Sequence, residues 1–174
     1  MSGRPDSRLA GLSAPPDAPA PHGPRIVFPP PLLYALGFLA GIVLHDLAPG
    51  DTIPPALSGA ARTVGIALAL AGATLSLYGV GTFFRAKTTT IPHRAAATLV
   101  THGPYRFTRN PMYVGLTTVY MGMALALNRL WPFTLLPGIL AILILAVIRL
   151  EEAHLLDRFG DDYRDYCARV RRFL

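Results

Sequence analysis

Cysteine is nearly absent from this chain: Cys167 stands alone, so no internal disulfide can form and cysteine usage says nothing about a redox compartment. We read Cys167 as structural. Charge is scarce as well. Asp, Glu, Lys and Arg make up 15% of the 174 residues against 52% hydrophobic ones, and the mean hydropathy is +0.41. That balance is too apolar for an ordinary soluble domain, and the length suits a single domain. Acid is the scarcer sign, with 10 Asp and Glu against 16 Lys and Arg and a formal charge of +6. A basic excess points to nucleic acid when it covers a soluble surface. Here the basic residues lie between apolar runs, so phospholipid headgroups are the expected polyanion and nucleic acid is not an expected partner.

Proline and long apolar runs are what the chain has in excess. Nine of its 17 prolines fall within residues 1–31, a composition that resists helix and buries little, which predicts a disordered tail. The first apolar run begins only at Leu32 and has no clear small-residue cleavage site, unlike a secretory signal, so the tail is expected to be retained. No Asp, Glu, Lys or Arg occurs over residues 63–84, 110–128 or 130–148, each run being close to the roughly 20 residues that cross hydrocarbon. The expected spans are 63–84, 111–128 and 131–149. A shorter run over 32–48, with His45 and Asp46 near its end, is read as a first span, a re-entrant segment being the alternative. The fold class is therefore an all-α, integral membrane helical bundle of about four transmembrane helices over residues 32–174.

Pro49, Gly50, Pro54 and Pro55 supply the first turn, and Asn128-Arg129 is so short that the last two spans are expected to form an antiparallel hairpin. Trp131 and Pro132 fit an interface anchor and a helix start. With both termini on one side, that side collects Arg4, Arg8, Arg25, Arg85, Lys87, Arg94, Arg106, Arg109 and the six arginines from Arg149 onward, leaving only Arg62 and Arg129 opposite. The positive-inside rule then puts both termini in the cytoplasm. Beyond Arg149 the helix is expected to stop near Phe159-Gly160, with Gly160 as a left-handed cap and Asp161 capping a further helix over 161–172. In it Tyr163, Tyr166, Cys167 and Val170 recur at helical spacing, as in an interfacial helix resting on anionic lipid.

Chemistry concentrates in the segment Thr101 to Tyr113, THGPYRFTRNPMY. Gly103-Pro104 forces a turn. Asn110 and Pro111 provide an N-cap and a first helical residue, so a helix begins directly after Arg106 and Arg109. Its free N–H groups and positive dipole end, joined by two guanidinium groups, suit a carboxylate or phosphate. Headgroup anchoring is the bland and commoner role for such arginines. Glu151 and Glu152 follow an apolar span, where acids are costly and want a partner. Surface pairs with Arg158, His154 or Arg149 would satisfy them at about 0.2–0.5 kcal/mol each. Taken together, arginines on one wall and carboxylates on another match a zwitterionic ligand carrying hydroxyls. S-adenosylmethionine is one, its carboxylate suiting Arg, its ammonium and ribose diol suiting Glu, and its sulfonium suiting acidic or aromatic neighbours such as Tyr105 and Tyr113. A nicotinamide dinucleotide fits the same physics.

The residues resemble the signature of the isoprenylcysteine carboxyl methyltransferase and phospholipid methyltransferase superfamily. His102 to Arg106 and Arg109 to Tyr113 reproduce its His-Gly-Pro-Tyr-Arg and Arg-His/Asn-Pro-Met-Tyr elements, and Glu151-Glu152, Phe159-Gly160, Tyr163, Tyr166 and Val170-Arg171-Arg172 follow in its order. The likeness covers about Gly79 to the C-terminus. It implies an S-adenosylmethionine-dependent methyltransferase with the cofactor at the cytosolic side and a lipophilic acceptor entering from the bilayer. Carried over residue by residue, it implies cofactor contacts at His102, Gly103, Tyr105, Arg106, Arg109, Tyr113, Glu151 and Glu152, with Arg109, Glu152 and His102 as catalytic candidates. Gly79 and Gly81 match the Gly-x-Gly of the phospholipid branch, although glycines in membrane helices are more often packing contacts. No metal is implied. The reaction implied is direct methyl transfer to a carboxylate, thiolate or amine. Membrane sterol reductases are similar near the C-terminus, so a nicotinamide-dependent reductase is the alternative, and a non-enzymatic ligand-binding membrane protein a third.

Overall fold

The computed structural model describes residues 29–49, 53–87 and 99–173. The proline-rich tail, the turn at Gly50 and the basic loop over residues 88–98 lie outside the described residues, together with what the sequence predicts for them. Among the described residues every regular element is helical: α1 (Pro30–Leu47), α2 (Pro55–Lys87), a 3-10 turn (Gly103–Arg106), α3 (Pro111–Ala126), α4 (Leu130–Leu143), a π-helical turn (Ile144–Ile148) and α5 (Arg149–Arg169). In hydrocarbon only an element that satisfies its own backbone is affordable, and a helix does so within one segment.

Among the described residues, three stretches are long and apolar enough to cross a membrane: Pro30–Leu47, Pro55–Arg85 and the helix Leu130–Arg169, whose apolar part ends at Ile148. The protein is thus an all-helical membrane bundle. At 16 residues, α3 is shorter than the apolar run 111–128, about 24 Å long, because the chain leaves the helix at Leu127 and turns through Asn128, which takes φ 54°. α2 is longer than its charge-free run, since Pro55 can open a helix and Arg62 and Arg85 are tolerated on it.

Two antiparallel pairs build the bundle, α2 with α3 and α1 with α4. Glycines at seven-residue spacing explain the first. Gly65, Gly72 and Gly79 recur along α2, and Gly115 and Gly122 along α3. A Cβ at Gly72 would sit 2.6 Å from the Gly115 carbonyl oxygen, one at Gly115 equally close to that of Gly72, and one at Gly65 2.6 Å from that of Gly122. Backbones can touch only because these positions carry no side chain. α1 approaches α4 in the same way, Gly41 lying against Pro132 and Gly37 against Ile139. The turn after α3 is as tight as Asn128-Arg129 implies, yet α4 packs more extensively on α1 than on α3, because α1 presents these glycines to it.

The core contains Tyr34, Tyr113, Tyr120, Leu136, Ile139, Leu143, Val147 and Ile148. A phenol among apolar side chains needs a partner, and Tyr34 shares a 2.7 Å hydrogen bond with Thr117 Oγ1 while Tyr120 donates to the Pro132 carbonyl at 3.0 Å. At the end of the bundle away from the glutamates, Trp131 Nε1 donates to the Ala48 carbonyl at 2.6 Å, Asn128 and Ile53 exchange two hydrogen bonds, and Arg129 pairs with Asp46 at 3.3 Å. Asp46, costly beside an apolar span, is thereby neutralised.

Candidate active site

The π-helical turn over Ile144–Ile148 inserts one extra residue per turn immediately before Arg149, rotating everything beyond it by about 100°. Glu151 and Glu152 consequently face the protein. Neither takes the surface partners that spacing along the helix allows. Glu151 Oε1 accepts a 2.9 Å hydrogen bond from Tyr113, and Glu152 meets Arg109 at 3.4 Å and Arg172 at 2.6 Å.

Gly160 takes φ 52° and ψ −121°, a backbone that folds residues 161–169 back over the loop ahead of α3. The positive φ agrees with the expected left-handed glycine, but Asp161 accepts from the Arg164 side chain at 2.6 Å. Tyr163 and Tyr166, the apolar face assigned to lipid from their spacing, are each only 4% exposed. Tyr166 donates to the Tyr105 carbonyl at 2.7 Å, and Tyr105 donates to the Gly79 carbonyl at 3.4 Å. Burial pushes both phenols up to about 12, helped for Tyr105 by the nearby Glu151 charge and opposed for Tyr166 by Arg109. Both remain donors at neutral pH.

A short strap over residues 170–173 then crosses the loop. Arg109 N donates to the Arg171 carbonyl at 2.9 Å, and Thr108 Oγ1 and Asn110 Nδ2 both donate to the Arg172 carbonyl, at 3.1 and 3.0 Å. Asn110 precedes α3 as expected, but its side chain caps nothing because the strap claims it. Nor is the start of α3 a row of free donors: Pro111 has no N–H, and Tyr113 N and Val114 N bond to the Asn110 carbonyl. The expected anion site at that terminus therefore shrinks to the Arg109 side chain.

Arg109 is the centre of the cluster. Its side chain is 15% exposed, one terminal nitrogen contacts both Cys167 Sγ and Glu152, and its Nε is buried without a hydrogen-bond partner. A cavity of about 270 Å³ opens here, its walls including Arg109, Glu152, Leu156, Tyr163 and Cys167. Arg109, Glu151, Glu152, Tyr105 and Tyr113 are brought together. His102 and Arg106 are exposed, and the Arg106 guanidinium lies over the Phe107 ring at 4.9 Å. Gly103, with φ 62°, turns the chain beside Thr82. Gly79 packs on Met112 of α3, whereas nothing lies within 4 Å of a Cβ at Gly81. Cys167, Tyr163 and Arg172 enter the cluster although spacing alone gave them to lipid or to structure; the break expected at Gly160 was the signal available, and the fold-back it produces was not legible.

Replacing Tyr113 by Phe removes the donor to Glu151, and loss of a hydrogen bond to a charged group costs about 1.5–3 kcal/mol. The Tyr113→Phe protein should unfold at a lower temperature in detergent, and an unchanged midpoint would show that solvent satisfies Glu151 equally well.

These features describe a class: a membrane-embedded helical bundle carrying an arginine, carboxylate and tyrosine site at one end. More specifically, the chain belongs to the phospholipid methyltransferase family, whose model matches residues 60–162. That family places it among membrane methyltransferases. No curated protein and no solved structure matches the chain. The matched segment takes in the loop before α3 and both glutamates, and ends before Tyr163, Cys167 and Arg172.

Proposed function

We propose that the protein transfers a methyl group from S-adenosylmethionine to a lipophilic acceptor at the cytoplasmic face of a membrane. The observation that carries this reading is the Arg109 guanidinium, largely buried, beside Glu152 on the wall of the cavity, with its Nε left without a hydrogen-bond partner. A buried guanidinium with an unused donor is expensive unless an anion completes it, and the carboxylate of an amino acid does so. The cavity is smaller than the roughly 300–1,000 Å³ of pockets that enclose a whole drug-sized ligand, which suits the amino-acid end of the cofactor. Arg109 would hold the carboxylate, and Glu151, with one oxygen committed to Tyr113, would face the ammonium. Bound there, the cofactor supplies an activated methyl group on a sulfonium. The chain's own residues would fix its position, with Leu156 and Tyr163 on the walls of the cavity. A thiol or ammonium acceptor would need a base, for which His102 or a glutamate is the candidate.

Calorimetric titration of the detergent-purified protein with S-adenosylmethionine and with NADPH tests this. Binding of the first alone supports it; binding of NADPH alone would favour the reductase, and binding of neither would end the enzyme reading. Transfer of labelled methyl groups in native membranes then reports whether protein, lipid or a small thiol accepts them.

Binding should depend on pH. Burial raises the Glu151 carboxyl above its ordinary value, against the Tyr113 hydrogen bond and with the Glu152 charge adding to it. Ionised Glu151 favours the ammonium, so affinity should fall as pH drops through that raised value, at a higher pH than an exposed carboxylate would give. Glu151→Gln should abolish that dependence, and a profile identical to wild type would remove Glu151 from the site.

A further inference from the structure

From the geometry of the strap we infer that Arg172 is a positioning residue for the cofactor site, holding the Glu152 carboxylate so that the Arg109 guanidinium stays available to an anion; this rests on the reading just proposed. Arg172 Nε donates to Glu152 Oε1 at 2.9 Å and its NH2 to Oε2 at 2.6 Å, the planar two-pronged match that arginine alone makes with a carboxylate. Arg109 reaches the same carboxylate only at 3.4 Å. Two cations therefore share one anion, and the tighter grip belongs to Arg172. Without it, the half-buried carboxylate would close on Arg109 and neutralise the group that is to receive the cofactor.

The strap makes this arrangement rigid. The Arg172 carbonyl is held from both sides of Arg109, by Thr108 and Asn110, and the Arg171 carbonyl takes the Arg109 backbone N–H. Phe173 packs against the bundle core. One segment thus fixes both the backbone of Arg109 and the partner of its side chain. Glu152 becomes the link between the two arginines, its oxygens engaged within the protein. The segment lies beyond the residues matched by the family model.

The test compares full-length wild type, Arg172→Ala, Arg172→Lys, Glu152→Ala and the Arg172→Ala/Glu152→Ala double variant by titration with S-adenosylmethionine, with the exposed Arg169→Ala as control. Arg172→Ala should weaken binding about tenfold or more and raise KM for the cofactor while kcat at saturation changes little. Arg172→Lys, keeping the charge without the fork, should fall between. In the double variant the losses should not multiply, because Arg172 acts through Glu152. Each folded variant is identified by its unfolding midpoint; if Arg172→Ala does not fold, Arg172→Lys carries the comparison. Wild-type affinity in Arg172→Lys, an unaffected Arg172→Ala, or multiplying losses would overturn the inference while the cofactor reading stands. Absence of binding in wild type would overturn both.

Discussion

Gly115→Leu should leave the chain unable to assemble its bundle. A Cβ at this position would lie 2.6 Å from the Gly72 carbonyl oxygen and 2.7 Å from Ser76 N, and neither is a side chain that can turn aside. The helices must separate along their whole contact, since Gly65, Gly79 and Gly122 depend on the same approach. Overpacking ordinarily costs about 1–3 kcal/mol and more when backbone must move, a large share of the roughly 5–15 kcal/mol that a domain has. The expected result is loss of a cooperative unfolding transition in detergent and ready digestion by protease. Gly138→Ala, with nothing within 4 Å of its Cβ, should leave both unchanged. A Gly115→Leu protein with the wild-type midpoint would mean that α2 and α3 are not held backbone to backbone.

Those glycines show where the sequence was legible. Charge-free runs located the helices because hydrocarbon tolerates few ions, so the all-α membrane class was fixed by composition and spacing. Helix partners were not, because lipid-facing and protein-facing positions are equally apolar, and a stripe of small residues is the remaining signal. The seven-residue recurrence of Gly65, Gly72 and Gly79 was present in the sequence. Gly79 also matches half of a Gly-x-Gly motif with Gly81, and that match hides its packing role, its Cβ position lying against Met112.

The site was legible to a similar depth. Glu151 and Glu152 stand out because acids beside an apolar run need partners, Arg109 because it precedes a helix start, and Tyr113 through the motif it closes; the candidate site brings the four together. The pairing could not be read. The π-helical turn that re-aims the glutamates has no distinctive residues, being Ile-Leu-Ala-Val-Ile, and helical spacing pointed Glu152 at Arg149. Likewise Tyr163 and Tyr166 have the periodicity of a lipid-facing stripe; only the reversal at Gly160 reveals that the stripe covers the loop before α3.

Arg109→Ala should remove cofactor binding more completely than any other single change. Two charge-assisted hydrogen bonds from a guanidinium to a carboxylate contribute about 1.5–3 kcal/mol each, so affinity should fall on the order of 100-fold or more. Arg109→Lys tests whether charge alone suffices: an ammonium is a point charge without the planar fork, and it lacks the buried Nε whose missing partner marks the site. The lysine variant should therefore bind nearer to Arg109→Ala than to wild type. Folding should suffer less than binding, because Glu152 keeps its two bonds to Arg172 and no carboxylate is left alone. That contrast separates a ligand-holding arginine from a headgroup anchor. An anchor would lose vesicle affinity and leave titration with S-adenosylmethionine unchanged, and such a result for Arg109→Ala would return the residue to the lipid surface.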